Sequence, residues 1–225
     1  MMNGEVVTQP EILDAKLSKE RVPEVYAERA RFYDVWGKFT EAKAQKRSLE
    51  IANIQDGETI LEVAVGTGLT FARVLQQNPS GWNEGIDLTA AMLAQAKKKA
   101  AQSGTTNYQL QLGDAYELPF ANGRFDLLIN NYMFDLLPKA DFPQVLAEFR
   151  RVLKPDGRLL LVNMAKGRRW YNQVWESLYK RNETSMAGCR GVSMTVPVEA
   201  NGFTVSHHEY ISQMTFPSEI IMARK

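Results

Sequence analysis

Four predicted strands in succession each end in residues that could contact a ligand. These residues are Gly66 and Gly68 after the first strand, Asp87 after the second, Asp114 after the third, and Asn130 and Asn131 after the fourth. In an open α/β sheet, ligands bind outside the carboxyl ends of the strands, so these residues would meet at one edge. A carboxylate such as Asp87 can accept both hydroxyl hydrogens of a ribose, and Asp114 can accept from the exocyclic amine of adenine. The pattern predicts a nucleoside-binding site.

The turn after the first strand contains two glycines, which let the backbone approach a ligand closely because they lack a Cβ atom. A dinucleotide fingerprint would need a third glycine where Phe71 stands, and a phosphate-binding P-loop would need Gly-Lys-Ser/Thr after the turn. A nicotinamide cofactor is therefore disfavoured. Taken singly, Asp87 could cap the following helix and Asp114 could form a turn. The combination of strand ends carries the prediction.

Composition limits the classes of protein that the chain can belong to. It has 225 residues, with 27 basic and 26 acidic residues and a formal net charge of +1. Nucleic-acid binders usually carry a basic excess, so no nucleic-acid partner is expected. The single cysteine, Cys189, allows no intramolecular disulfide, and no metal site is expected. There is no run of about 18 apolar residues that could span a membrane, and residues 1–10 lack the apolar core of a signal peptide, which favours a cytoplasmic enzyme.

The order of the predicted elements favours a single α/β domain over residues 1–225. Short apolar strands near 59–65, 81–86, 108–112, 125–130 and 158–163 alternate with helices near 69–76, 89–101 and 141–153. The alternation predicts a central parallel sheet, and two strand-like runs at 203–210 and 212–223 predict a hairpin that closes one edge. The predicted parts are a mobile arm (1–20), a helical segment (22–53), a cofactor-binding core (58–165) and a substrate-side segment with the closing hairpin (166–225).

Four stretches of the core together resemble the class I S-adenosylmethionine-dependent methyltransferases. They are Glu62–Gly68, with Ala64 where glycine is commoner, Gly85–Leu93, Gly113–Asp126 and Leu153–Arg158. The resemblance covers about residues 58–165. It implies a Rossmann-like fold with a seven-stranded, mostly parallel sheet, helices on both faces and an antiparallel last strand. It also implies S-adenosylmethionine as the cofactor.

The same resemblance implies a role for each matching residue. Gly66 and Gly68 would lie against the methionine part of the cofactor, and Glu62 would orient its amine. Asp87 would hold the ribose, while the residues at 114–115 would hold the adenine and Asn130 the amino-acid end. The complete predicted cofactor-binding set is Tyr26, Tyr33, Glu62, Ala64, Gly66, Gly68, Asp87, Leu88, Asp114, Ala115 and Asn130.

Segments outside the core narrow the resemblance. Residues 26–34, with the pattern Tyr-x6-Tyr-Asp, are similar to the first helix of ubiquinone/menaquinone methyltransferases and bacterial phosphatidylethanolamine N-methyltransferases. Residues 188–190 and 216–219 resemble the phospholipid group, although Gly191 stands where that group has proline. The expected acceptor is therefore a small molecule or a lipid, either a quinone-type precursor or phosphatidylethanolamine. Peripheral contact with the inner membrane face through the N-terminal helix is expected to accompany a lipid acceptor.

Methyl transfer is a displacement at a carbon already activated by a sulfonium, so the protein mainly aligns the reactants and controls the protonation of the acceptor. An oxygen or carbon acceptor needs a base, and Tyr132, after the fourth strand, is the preferred candidate over His207 and His208. Arg190 is either the ligand of a lipid phosphate or an ordinary surface arginine. The alternative to an active enzyme is a regulatory or scaffold protein that binds the cofactor without turnover.

Overall fold

A computed structural model describes residues 14–15, 21, 24–26, 37, 39–167, 170–172, 175, 177 and 188–225. Among them the helices are α1 Ala42–Ala52, α2 Leu69–Gln77, α3 Ala90–Ala101, α4 Phe142–Val152 and α5 Thr195–Ala200. The strands are β1 Thr59–Val63, β2 Trp82–Asp87, β3 Tyr108–Leu112, β4 Phe125–Asn131, β5 Leu153–Met164, β6 Thr204–Gln213 and β7 Phe216–Arg224. Short 3₁₀ turns occupy Lys139–Asp141 and Trp170–Asn172. Tyr33 and most of residues 1–36 lie outside the described residues.

The seven strands form one sheet in the order β3-β2-β1-β4-β5-β7-β6. β1 pairs in parallel with β2 and β4, and β3 and β5 continue the parallel arrangement on either side. β7 lies between β5 and β6 and runs antiparallel to both, so the predicted hairpin closes this edge. The predicted fold class, a Rossmann-like methyltransferase fold with an antiparallel last strand, is confirmed.

Hydrophobic cores cover both faces of the sheet. On one face, Leu146 and Phe149 of α4 pack with Leu161 of β5. On the other face, Leu49 of α1 belongs to the cluster that contains Leu160 of the same strand. The neighbours Leu160 and Leu161 join different cores because successive strand residues point to opposite faces. The apolar stripe of α4 is thus explained by burial on one side of the sheet only.

β5 begins earlier than the sequence predicts. The chain leaves α4 at Val152, and Leu153 at once pairs with Phe125 of β4. The next β4 partner is Leu127, which pairs with Arg158, so residues 154–157 form an irregularity in the strand pair. The Pro-Asp-Gly sequence at 155–157 therefore lies within β5, where the sequence predicts only a turn before the strand.

The parallel pairing brings the carboxyl ends of four strands to one edge. β1 ends at Val63, β2 at Asp87, β3 at Leu112 and β4 at Asn131. The register pairs Val63 with Ile86 on one side and with Asn130 on the other. The residues that follow these strand ends therefore surround a common space.

Within the described part of the chain, no helix has the length and apolar composition needed to cross a membrane. Among the same residues, no cluster of His, Cys, Asp and Glu side chains could hold a metal ion. A cytoplasmic location and peripheral membrane contact stay predictions, because most of the N-terminal residues on which they depend lie outside the described residues.

Candidate functional site

A pocket opens at the carboxyl ends of β1 to β4, where the sequence predicts the ligand site. Its space, including the mouth, is about 900 Å³. The predicted residues that line it are Tyr26, Ala64, Gly66, Asp87, Leu88, Asp114, Ala115 and Tyr132. Glu62, Gly68, Asn130 and Arg190 are not among its lining residues, and Tyr33 lies outside the described part of the chain. The tertiary structure thus collects most of the predicted set around one space.

The loop after β1 has three residues in the left-handed region, with φ of 60° at Ala64, 55° at Gly66 and 81° at Gly68. This conformation costs a residue with a Cβ atom about 1–2 kcal/mol, so Ala64 is strained, as residues at ligand sites often are. A Cβ atom at Gly68 would lie 2.7 Å from Cα of Ala96 in α3, whereas a Cβ atom at Gly66 would meet nothing within 4 Å. Gly66 therefore leaves space for a ligand, and Gly68 leaves space for a helix.

Asp87 ties the first two loops of the pocket together. Its Oδ2 accepts from the backbone N–H of Gly66 at 2.8 Å, and its Oδ1 accepts from that of Thr89 at 2.8 Å. Burial raises the pKa of the Asp87 carboxyl, and the backbone donors oppose that rise. Each carboxylate oxygen has further acceptor capacity, so both can still accept hydrogen bonds from a ligand. Asp87 therefore binds the backbone at the start of α3, as the sequence allows, and also lines the pocket.

Glu62 and Asn131 form a second polar part of the site. Glu62 is 2% exposed, and its Oε2 has no hydrogen-bond partner among the described residues. Burial raises the pKa of the Glu62 carboxyl well above its ordinary value, nearby Asp87 raises it further, and the Asn131 side chain opposes the rise. Asn131 lines the pocket, and its side-chain amide lies close enough to the Glu62 carboxyl to affect its pKa. The two side chains form a buried polar pair beside the pocket, and a carboxylate and an amide together have hydrogen-bonding capacity left for a ligand.

Asn130 lies elsewhere than its neighbour. Its Nδ2 donates to the carbonyl of Val63 at 2.9 Å and contacts Sδ of Met133 at 3.5 Å, and the residue is fully buried. Asn131 is the lining residue; the sequence analysis named both asparagines at this strand end but assigned the cofactor contact to Asn130. Successive residues of β4 point to opposite faces of the sheet, so only one of the two asparagines can face the pocket. The residues directly before them are all apolar, so the sequence shows no alternation that would indicate which one does.

The loop after β3 also contributes to the wall of the pocket. Oδ1 of Asp114 accepts from the backbone N–H of Tyr116 at 3.0 Å, so this residue does form a turn. The Tyr116 hydroxyl donates to Oδ2 of Asp141 at 2.6 Å and thereby joins the loop to the start of α4. Ala115 lies between them and lines the pocket. Asp114 and Tyr116 therefore both form the turn and line the pocket.

The hydroxyl of Tyr132, the predicted base, contacts a strand of the sheet. The oxygen lies 2.8 Å from Oγ of Ser218 in β7, and the ring packs against Phe216. Burial raises the pKa of the Tyr132 phenol well above its ordinary value, and the charge of Glu41 raises it further. A raised pKa makes a phenol harder to ionise, so this placement favours a packing role over proton abstraction.

Arg190, the predicted phosphate ligand, is 1% exposed. Its Nη1 donates to the carbonyl oxygen of Asp135 at 2.8 Å, and its Nη2 donates to the carbonyl oxygen of Leu137. Both acceptors belong to the loop after β4, which forms one side of the pocket. Arg190 does not line the pocket, and its side chain instead stabilises that loop through these two hydrogen bonds.

The site suits a ligand with positive charge and a nucleoside. Two buried carboxyls with raised pKa values, Glu62 and Asp87, would be stabilised in their ionised forms by a bound cation. S-adenosylmethionine carries an ammonium and a sulfonium next to a ribose and an adenine. The buried Glu62 carboxyl, the Asn131 amide in the pocket wall and the space beside Gly66 are features that this cofactor fits.

Comparison with known proteins supports the same class. Residues 60–157 match the family model described as a methyltransferase domain. The chain is 33% identical over 153 residues to the demethylmenaquinone methyltransferase of Halalkalibacterium halodurans, covering 66% of this chain and 62% of that protein. It is 31% identical over 175 residues to the enzyme of the same name from Lactobacillus johnsonii, covering 75% and 71%.

The chain belongs to the class I S-adenosylmethionine-dependent methyltransferases. The predicted family, the enzyme class and the cofactor are thereby confirmed. Both relatives are named as quinone methyltransferases, which is one of the two groups that residues 26–34 resemble. The alignment with the first relative spans 62% of that protein's length, somewhat less than two thirds.

Solved structures of low identity share the fold of this methyltransferase. The [4+2]-cyclase SpnF superimposes with a TM-score of 0.75 at 18% identity, covering 96% of this chain and 99% of that one. A SAM-dependent methyltransferase from Aquifex aeolicus gives a TM-score of 0.62 at 16% identity, covering 93% and 99%. At these identities the likeness shows the fold alone.

Replacing Glu62 with glutamine is expected to stabilise the cofactor-free methyltransferase while weakening cofactor binding. The folded-state pKa of Glu62 lies above its unfolded value, so stability is full below the unfolded pKa and is lost as pH rises through the folded pKa. The neutral amide removes this loss, which is about 1.4 kcal/mol for each unit of pKa shift. Urea titrations from pH 4 to 8 should show a flatter pH dependence for E62Q.

The same variant should bind S-adenosylhomocysteine about tenfold more weakly, because a hydrogen bond to a charged group contributes about 1.5 kcal/mol or more. Calorimetry measures this directly. An unchanged affinity in E62Q would place Glu62 outside the cofactor site.

Proposed function

We propose that this methyltransferase transfers the methyl group to a reduced quinone precursor of the demethylmenaquinone type. The observation that carries the proposal is the group of apolar residues in the pocket lining. This group consists of Met92, Met133, Leu136, Leu137 and Pro138, with the ring of Tyr26 beside them. A flat, apolar acceptor with few polar atoms would bury its ring against such a wall. The names of the two relatives support the same acceptor class.

In this proposal the cofactor lies along the strand ends. Asp87 accepts from the ribose hydroxyls, the residues at 114–115 contact the adenine, and Glu62 accepts from the ammonium. Asn131, rather than the predicted Asn130, contacts the amino-acid end because its side chain lines the pocket, whereas that of Asn130 donates to the carbonyl of Val63. The loop at Gly66 supports the methionine part, since it has room for a ligand.

The acceptor has to be the reduced form because methyl transfer from a sulfonium requires a nucleophile. An oxidised quinone ring is electron-poor, whereas the ring of the corresponding hydroquinol is electron-rich, most of all when a hydroxyl loses its proton. The enzyme therefore has two tasks, which are to align the ring with the activated methyl group and to accept the hydroxyl proton.

Phosphatidylethanolamine is the weaker candidate. That reading depends on Arg190 as the ligand of the lipid phosphate. The guanidinium instead donates to two backbone carbonyls of the loop after β4 and does not line the pocket. The amine of phosphatidylethanolamine, once neutral, would also need no general base, so this acceptor would not use one. The apolar wall and the relatives favour the quinone-type ring.

The test is a transfer assay with methyl-labelled S-adenosylmethionine and the purified chain. Demethylmenaquinone reduced with dithionite, the oxidised compound, and vesicles of phosphatidylethanolamine are the three acceptors. We expect label in the organic extract with the reduced quinone and less than one tenth of that rate with the other two. Label in the phospholipid instead would overturn the acceptor assignment.

The cofactor-site variant D87A serves as the inactive control, since it keeps the apolar wall but loses the proposed ribose contact. Binding of S-adenosylmethionine without turnover on any of the acceptors would favour the alternative of a regulatory protein. Failure to bind either S-adenosylmethionine or S-adenosylhomocysteine would contradict the function at its first step.

A further inference from the structure

A buried carboxyl lies directly behind the pocket and the cofactor contacts do not explain it. Asp135 follows β4 and is fully buried, and the described residues form no close hydrogen bond to either of its carboxylate oxygens. Met133, two residues before it, and Leu136, the next residue, line the pocket. A buried carboxyl without a full set of partners is costly, so its presence requires an explanation.

The side chain of Cys189 connects this carboxyl to the pocket. Cys189 precedes Arg190, whose backbone N–H donates to the carbonyl oxygen of Asp135 at 3.2 Å, so the thiol lies near the Asp135 carboxyl, and each group affects the pKa of the other. On its other side, Sγ of Cys189 lies 3.7 Å from the hydroxyl of Tyr26, and either atom can be the donor. Tyr26 lines the pocket and packs with Met92 and Leu136 of the apolar wall. Cys189 thus lies between Tyr26, which lines the pocket, and the buried Asp135.

The groups around Asp135 set its charge. Burial is the largest influence and raises the pKa of Asp135 to about 7, while the positive charge of Arg190 opposes the rise. Tyr132 and Cys189 face it as neutral groups, since burial raises the pKa of both. The negative charge of Glu41, the residue before α1, raises the pKa of Tyr132 and of Cys189 further. At neutral pH the carboxyl therefore exists in both protonation states.

We propose that, in the reaction put forward above, Tyr26 takes the proton of the acceptor hydroxyl and Asp135 receives a proton through Cys189. Tyr26 is the catalytic residue, because it faces the acceptor. Asp135 acts through the other two and is a positioning residue that orients the Tyr26 hydroxyl and stores the charge. This inference rests on the proposed function, since an acceptor with a hydroxyl is what supplies the proton.

The step balances without any oxidant or reductant. The bond between the methyl carbon and sulfur breaks with its electron pair going to sulfur, and the ring carbon forms the new bond with its own electrons. The hydroxyl proton passes to the Tyr26 oxygen, the Tyr26 proton to the Cys189 sulfur, and the thiol proton to the Asp135 carboxylate. The hydrogen on the methylated ring carbon then returns to the ring oxygen, so one proton in all is released.

The decisive measurement is the pH dependence of kcat. We expect kcat of the unsubstituted enzyme to fall about tenfold for each pH unit below 7, as the carboxylate becomes protonated. In D135N kcat should be lowered about 10²-fold at pH 8, a typical loss for general-base catalysis, and its acid limb should disappear. KM for the reduced quinone and the affinity for S-adenosylhomocysteine should stay within threefold. A D135N enzyme that keeps the acid limb would overturn the proposal.

The relay itself is tested by two replacements of Cys189. C189A interrupts the line of protons, whereas the hydroxyl of C189S can carry a proton in place of the thiol. We expect C189A and Y26F to lose kcat as D135N does, and C189S to recover at least one third of the activity lost in C189A. Equal rates of C189A and C189S would contradict the relay, and this comparison remains decisive if D135N fails to fold.

A readout independent of turnover is the carboxyl carbon NMR signal of Asp135 in aspartate-labelled protein. It should titrate near pH 7, vanish in D135N and move in C189A. A signal that does not titrate between pH 6 and 8 would overturn the relay. An enzyme that turns over with an unchanged profile in D135N refutes only the relay, whereas binding without turnover refutes the proposed function.

Discussion

Replacing Asp87 with alanine is expected to weaken binding of S-adenosylhomocysteine by about 10²-fold. The carboxylate accepts from the backbone N–H groups of Gly66 and Thr89, and it is proposed to accept from both ribose hydroxyls as well. Hydrogen bonds to a charged group contribute about 1.5–3 kcal/mol each, and the variant also releases the glycine loop from the second strand. Losing two such bonds to the ligand corresponds to at least 10²-fold in Kd. Titration calorimetry at pH 7.5 measures the change.

Asp126 offers a matched control for this variant. Its Oδ2 also accepts from a backbone N–H, that of Thr59, at 2.9 Å, and it forms an ion pair with Lys154. It lies near the start of β4, at the opposite edge of the sheet from the pocket. D126A should therefore lose some stability and keep its affinity for the ligand. An equal loss of affinity in both variants would show that D87A acts through the fold and not through the ribose.

Replacing Gly68 with alanine is expected to lower the free energy of unfolding by about 3 kcal/mol or more. The new Cβ atom would lie 2.7 Å from Cα and 2.9 Å from Cβ of Ala96, and the backbone at this position has a φ of 81°. The left-handed conformation costs about 1–2 kcal/mol, and overpacking between α2 and α3 adds about 1–3 kcal/mol. Urea unfolding followed by circular dichroism measures the loss.

G66A provides the contrast. Its backbone is also left-handed, with φ of 55°, but a Cβ atom there meets no other atom within 4 Å. We expect a stability loss of only about 1 kcal/mol, together with a clear loss of ligand affinity because the methyl group enters the pocket. Similar stability losses in both variants would contradict the separate roles of the two glycines.

Local sequence was sufficient for the elements that carry the cofactor site. The predicted helices near 69–76, 89–101 and 141–153 are α2, α3 and α4, because each has an apolar stripe that the sheet buries. Asp87 could be assigned to the pocket because it ends a strand, and parallel strands bring their carboxyl ends to one edge. The start of β5 was misplaced, since the irregular pairing at 154–157 depends on the neighbouring strand and has no local signal.

Side-chain direction was the main limit for the site. Asn130 and Asn131 are identical residues in one strand, and which of them faces the pocket depends on the phase of β4 in the sheet. Tyr132 follows the same strand end, yet its hydroxyl pairs with Ser218, which is 86 positions away in the chain. Contacts of this kind form only when distant strands pack together.

The strand ends by themselves indicated a nucleoside-binding site, and the resemblance carried by the same stretches implied the class of this protein and the part of the cofactor that each loop should meet. Their chemistry follows from which residue ends which strand, a property that the chain encodes locally. Only the tertiary structure separated Gly66, which faces the pocket, from Gly68, which makes room for α3. It also brought Tyr26 into contact with Cys189, 163 positions away in the chain, and placed Cys189 near the buried Asp135. Which residues come together in this way depends on burial and on contacts between distant segments, and the spacing of residues along the chain does not reveal it.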